Sequence, residues 1–106
     1  MSKYYELEAY GEVFRVKAVK TSYLDNGSLA VFLITDEGED FATLTVNLSS
    51  KKAYGNLAFV DTNNCDWAVD WLEKTEIARP ISYWEQSGFC KYPLYEFNLD
   101  MLEDLE

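Results

Sequence analysis

The chain has 106 residues, 48% apolar and 26% charged, with nineteen acidic against nine basic side chains and a net charge of -10. That length fits one domain, and an aromatic share of 16% excludes a disordered chain. A field of that sign repels phosphate, so direct nucleic-acid binding and docking on an anionic membrane are both disfavoured.

No stretch approaches the roughly 20 apolar residues of a membrane span. The polar, alternating start MSKYYELEAYGE does not read as a secretory signal. The expectation is a cytoplasmic protein, in which the sequons at Asn26-Gly27-Ser28 and Asn47-Leu48-Ser49 carry no meaning. Cys65 and Cys90 are then expected as reduced thiols. Two cysteines without a histidine do not complete an ordinary four-ligand zinc site.

Tyr4 to Ala9 alternates, with Tyr5, Leu7 and Ala9 on one face and Tyr4, Glu6 and Glu8 on the other, the signature of a half-buried strand. Tyr10-Gly11 suits a tight turn. Glu12 to Tyr23 reads as a long second strand, Phe14, Val16 and Ala18 inward and Arg15, Lys17 and Val19 outward. Asn26-Gly27, within Asp25-Asn26-Gly27-Ser28, is the strongest hairpin signal in the chain. Leu29 to Thr35 (LAVFLIT) is apolar on both faces and predicts a central strand covered on both sides. Asp36 to Asp40 is a turn. Phe41 to Leu48 alternates again, Ala42, Leu44, Val46 and Leu48 against Phe41, Thr43, Thr45 and Asn47. Asn56 to Val60 reads as a short fifth strand.

From Cys65 to Thr75 the spacing predicts one amphipathic helix, capped by Asn63 or Asn64. Trp67 and Trp71 bury against the sheet, while Asp66, Asp70 and Glu73 fall on the opposite face. Asp70 and Lys74 form an i, i+4 pair, and Arg79-Pro80 stops the helix. Ile81 to Trp84 and Phe89 to Phe97 read as extended, with a turn or bulge at Ser87-Gly88. Pro93 sets the second of these segments at a sheet edge or breaks it. Asn98 opens a last short helix with Leu99, Leu102 and Leu105 at i, i+3 and i+6, frayed by the acids at its C-terminal end. The fold class is therefore α+β: an antiparallel sheet of about five strands with one amphipathic helix on a face and a short C-terminal helix.

Catalytic equipment is sparse. The absence of histidine removes the usual general base and the commonest metal ligand. No phosphate-binding glycine loop and no nucleophile elbow is present. Asp61-Thr62-Asn63-Asn64-Cys65-Asp66 begins like a calcium loop, but Asp66 stands where glycine is required and Leu72 where glutamate is. Cys65, near a helix N-terminus, is the one thiol whose pKa that position would lower. The expectation is no enzyme, no metal and no cofactor.

Candidate interaction residues are the acids Asp36, Glu37, Glu39 and Asp40 of the turn, Asp66, Asp70 and Glu73 of the helix, and the aromatics Trp84, Tyr92 and Tyr95 of the C-terminal third. These aromatics either belong to the core or, where exposed, mark an interface. Carboxylates at this density exceed what solubility alone requires, a net charge of about 2–8.

The segment NNCDWAVDWLEKTEIARPISYWEQSGFCKYPLYEF, from Asn63 to Phe97, resembles the C-terminal half of a family of short proteins of unknown function. Its members are carried by phages, plasmids and conjugative elements, mostly of Gram-positive gut bacteria. The marks are the aromatic helix, Ile77-Ala78-Arg79-Pro80, Ser87-Gly88-Phe89 and Tyr92-Pro93-Leu94-Tyr95-Glu96-Phe97, with Asn26-Gly27-Ser28-Leu29-Ala30 and Ala42 to Leu48 in the N-terminal half. The resemblance implies an accessory role in a mobile element and no catalytic residues.

Two function classes stay open. One is a non-enzymatic protein that binds a basic or nucleic-acid-binding protein through an acidic, partly aromatic surface, as an inhibitor or a DNA mimic. The other is a small-ligand-binding module with a pocket between helix and sheet.

Overall fold

The computed structural model describes residues 3–24, 27–48 and 51–105. Two sheets, antiparallel apart from one short parallel pairing at the C-terminal end of the chain, share one core. In the first, β1 (Tyr5–Ala9), β2 (Glu12–Ser22), β3 (Leu29–Thr35) and β4 (Asp40–Thr43) lie side by side in that order. In the second the order is β5 (Thr45–Val46), β6 (Leu57–Val60), β8 (Cys90–Phe97) and β7 (Ala78–Ser87). The helix α1 (Ala68–Thr75) lies between β6 and β7 in the chain.

The alternation read along β1 and most of β2 holds, but Val19, expected outward with Arg15 and Lys17, is buried where β2 pairs with the C-terminal strand at Glu103. Tyr5 faces Val16 and Leu7 faces Phe14 across the ladder, and Leu7, Val16 and Ala18 are buried. The β1–β2 turn is Tyr10-Gly11, both at positive φ (54° and 76°), which matches the twist of the strands it joins. β2 and β3 pair from Val16–Thr35 to Ser22–Leu29. In the segment joining them, Gly27 has φ +73° and donates to the Tyr23 carbonyl at 2.8 Å. Asn26, the other half of the expected hairpin centre, lies outside the described residues. In β3, Val31 and Leu33 are buried on the inner face and Ala30 on the outer; Phe32 and Ile34 are half-buried. The second cover expected for this strand is thus partial.

Four expectations are corrected. First, there are two sheets instead of one, because the strand read over Phe41 to Leu48 turns a corner at Leu44. The Leu44 N–H donates to the Val31 carbonyl at 2.9 Å, and its own carbonyl accepts from Asp61 N–H at 2.9 Å. One residue therefore belongs to both sheets. The Val31 N–H is met by the Thr45 hydroxyl oxygen at 3.0 Å, and Thr45, expected on the polar face, is buried.

Second, α1 starts at Ala68, after Trp67, and neither Asn63 nor Asn64 caps it. The Asp61 carboxylate instead accepts from the backbone N–H and side-chain amide of Asn64 (3.2 and 2.9 Å), winding a turn ahead of the helix. The helix stops at Glu76, which is left-handed at φ 60° and donates to the Leu72 carbonyl; Arg79-Pro80 already lies in β7.

Third, the expected C-terminal helix is only a 3-10 turn, Leu99–Met101, opened by Asn98 accepting from Asp100 N–H. The chain then extends as β9 (Glu103–Asp104) and pairs in parallel with Val19 and Lys20 of β2. Lys20 reaches Asp104 at 3.1 Å and Lys17 reaches Glu103 at 3.6 Å. Carboxylates that would oppose a helix dipole thus find cations on the strand beside them.

Fourth, Pro93 lies within β8, between β6 and β7 in the sheet. β6 pairs only with Leu94 to Glu96, so Pro93 stands where β8 has only β7 beside it, opposite Trp84, and no central ladder is broken.

The core gathers Leu7, Val16, Val31 and Leu33 from the first sheet, Ala58, Val60, Tyr95 and Phe97 from the second, and Trp67, Ala68, Trp71 and Leu72 from around α1. A smaller cluster of Leu48, Ala53, Phe59 and Leu94 is separate from it. Among the described residues no helix is long and apolar enough to cross a membrane.

Two stability measurements follow. Thr45→Val keeps the shape and removes the acceptor, leaving a buried N–H unpaired; chemical denaturation should show a loss of about 1–3 kcal/mol. No loss would mean the hydroxyl does not hold the corner. At Gly27 an added Cβ meets no atom within 4 Å, so Gly27→Val is penalised by φ alone, by about 1 kcal/mol or more. An unchanged unfolding midpoint would contradict that backbone assignment.

Candidate interaction surface and helix groove

α1 is held by its two tryptophans, each buried and each with its indole N–H directed to a polar atom. Trp71 Nε1 donates to the Glu6 carbonyl on β1 at 3.0 Å. Trp67 Nε1 lies 3.4 Å from the Tyr10 hydroxyl. The rings meet edge-on at 6.1 Å, and Trp67 also packs on Phe41, which packs on Phe14. A helix of eight residues is marginal by itself, so this aromatic seam fixes where its flanks and outward acids lie.

On the β1 flank a cleft of about 410 Å³ is lined by Glu6, Glu8 and Val13 of the β1–β2 ribbon and by Trp67, Asp70, Trp71 and Lys74. Three carboxylates and one ammonium therefore rim a floor of indole. The expected Asp70–Lys74 ion pair is not among the salt bridges formed by the described residues. Those are Arg15–Asp36, Lys17–Glu103, Lys20–Asp104 and Arg79–Glu96. Asp66, Asp70 and Glu73 are exposed, as their spacing predicts.

In the β3–β4 turn Asp36, Glu37, Glu39 and Asp40 are exposed as well. Asp36 sits 3.6 Å from Arg15, which faces Glu6 across the β1–β2 ladder. The turn is thus tied to the strand that borders the β1 flank. Glu6 and Glu8 were missed from the sequence: they look like solvated strand positions until the fold sets β1 beside α1.

The three aromatic candidates separate. Trp84 is 56% exposed. Tyr92 is half-buried against the smaller apolar cluster. Tyr95, a candidate interaction residue whose place in core or interface the sequence leaves open, is core: it is 3% exposed, placed on the inner face of β8 opposite Pro80 and Ala58. Phe89 is fully exposed at the β7–β8 turn.

On the other flank of α1, facing β7 and β8, lies a groove of about 740 Å³. Leu72, Ile77, Pro80 and Tyr95 give it an apolar floor, and Glu73, Glu76, Arg79 and Glu96 rim it. Arg79 is already committed to Glu96, at 2.6 and 2.7 Å. Burial, and then the nearby Glu73 carboxylate, raise the Tyr95 hydroxyl pKa above its ordinary value.

Cys65 is corrected too. A helix N-terminus was expected to lower its pKa, but the helix begins three residues later and the thiol is buried, 3.7 Å from the Thr43 carbonyl. Burial, then the charges of Asp61 and Asp66, push it from 9.0 up to about 11. The neutral thiol's contribution to stability is therefore complete below about pH 9 and is lost as pH rises toward 11. Among the described residues no three His, Cys, Asp or Glu side chains gather to hold a metal ion.

Residues 18–106 match the model of the family described as Domain of unknown function (DUF4313), and the chain belongs to that family. The match spans every segment on which the family resemblance was read. No curated protein and no solved structure matches the chain.

The thiols give a direct check on the corrected environment. At pH 8 a thiol reagent should label half-exposed Cys90 quickly and Cys65 only after denaturation, and Cys90→Ser should abolish the fast phase. Fast labelling of Cys65 in the native protein would contradict its burial.

Proposed function

We propose that this protein is a non-enzymatic binding protein that captures a basic macromolecular partner on the acidic face formed by α1 and the β1–β2 ribbon. The observation that carries the reading is the β1-flank cleft, where Glu6, Glu8 and Asp70 rim the buried edges of Trp67 and Trp71. Carboxylates there select cationic partners and speed encounter, and the buried indoles hold Asp70 in place beside Glu6 and Glu8. Asp66 and Glu73 extend the charge along α1, and the Asp36 to Asp40 turn extends it beyond Arg15. A partner that itself binds nucleic acid is the narrower form of the reading, with the acidic face in the place of phosphate. The resemblance to proteins of mobile elements supports an accessory role of this kind.

The absence of histidine and the raised thiol pKa of Cys65 support binding over catalysis. The helix–sheet groove lies on the opposite flank of α1 and supports a separate binding event.

The test is a pull-down from lysate of the source cell at low and high salt, with wild type and with Glu6→Gln, Glu8→Gln and Asp70→Asn combined. Screening over a Debye length of about 10 Å at 0.1 M should weaken capture as salt rises. The triple variant should lose most of it, and duplex DNA should compete if the partner is a nucleic-acid binder. A partner indifferent to both salt and the three changes removes the acidic face as the binding surface.

A further inference from the structure

We propose that the groove between α1 and the β7–β8 ribbon is a binding site for a small organic ammonium ion, its apolar body on Leu72, Ile77 and Pro80 and its charge beside Glu73, Glu76 and Tyr95. Its volume of about 740 Å³ falls within the roughly 300–1,000 Å³ of small-molecule sites.

Three features set the sign of the ligand. The first is the residual charge of the rim. Glu73, Glu76, Glu96 and Arg79 are its ionic groups, and Arg79 is neutralised by Glu96, leaving Glu73 and Glu76 unmatched. The second is the end of α1 itself. The helix stops at Thr75 with Glu76 left-handed, so the carbonyl end of its dipole, which favours a cation, is at the groove.

The third is Tyr95. Its residue is 97% removed from solvent (3% exposed), it lines the groove, and its hydroxyl makes no hydrogen bond to any described residue. The hydroxyl oxygen itself keeps contact with solvent and feels the Glu73 carboxylate. An ammonium N–H can donate to the phenol oxygen and to Glu73 together. An anionic ligand would meet two carboxylates and the negative end of a helix. A neutral apolar one would displace water from the hydroxyl without replacing its hydrogen bond.

The probe is 2-phenylethylammonium, against its neutral counterpart 2-phenylethanol, with binding followed by NMR shifts at Leu72, Ile77, Ala78 and Tyr95. The ammonium should shift these resonances with saturation in the millimolar range or better, and the alcohol should bind at least about tenfold more weakly. Glu73→Gln with Glu76→Gln, both exposed and so compatible with the fold, should abolish that preference while leaving the spectrum of the core intact. Tyr95→Phe should weaken the ammonium and spare the alcohol.

Absence of shifts up to about 10 mM ammonium, or equal binding of the alcohol, would overturn the proposal. A lysine-containing tetrapeptide binding more tightly than the free amine would overturn the assignment to a small molecule. Because the β1-flank variants leave this groove untouched, loss of the acidic-face reading and loss of this one are separate outcomes.

Discussion

Everything in this fold depends on how the backbone turns at Leu44. A continuous strand there would give one flat sheet with an uncovered face. Instead the Leu44 N–H stays with β3 while its carbonyl goes to Asp61 at the end of β6. The residue next to it repairs the remaining deficit, since the Thr45 hydroxyl accepts the Val31 N–H that would otherwise be buried and unpaired. Such a group costs about 1–3 kcal/mol when left alone, so the corner is stable only because a hydroxyl follows Leu44. With the sheet bent, both sheets present apolar faces to one interior, and that interior is completed by Trp67, Trp71 and Leu72 around a single short helix.

The short helix in turn defines both candidate sites. Its tryptophans anchor it to β1, one through the Glu6 carbonyl and the other at the Tyr10 hydroxyl. Anchoring on that side creates the narrow cleft edged by Glu6, Glu8 and Asp70. The opposite side is left open toward β7 and β8, and that opening is the larger groove. A change that shifted α1 would alter both, which ties the charge pattern of the surface to the packing of two indoles.

Local periodicity was legible in the sequence where one face of a strand or helix is buried and the other is not. The faces of β1 and of β2 as far as Ala18, the tight turn at Tyr10-Gly11, and the outward set Asp66, Asp70 and Glu73 all follow from it. The corner was not legible, because Thr45 scores as polar in an alternating run and nothing local shows that its hydroxyl replaces a strand. Leu99, Leu102 and Leu105 fit a helical spacing, yet only Leu102 is buried; the open edge of β2 offered the chain an extended partner instead. Tyr95 and Trp84 look alike in sequence and end up in core and solvent respectively, because the register of β7 on β8, bulged between Pro80 and Trp84, decides which ring faces α1. Glu6 and Glu8 became candidate site residues only through the neighbour the fold gave them.

The placement of charge on α1 is itself informative. Its last turn holds one cation, Lys74, on the β1 flank. On the groove flank stand Glu73 and Glu76, where a carboxylate at a helix C-terminus is unfavourable by about 0.3–1 kcal/mol. Solubility does not require them there, since exposed positions elsewhere carry charge at no such cost. Packing does not require them either, because both are exposed. Local rules broken without a structural return point to a functional position, and under the ammonium proposal the return is a negative rim around an apolar floor with the Tyr95 phenol at its base. Folding alone would favour a cation on that flank, and its absence leaves the position for one that arrives from solution.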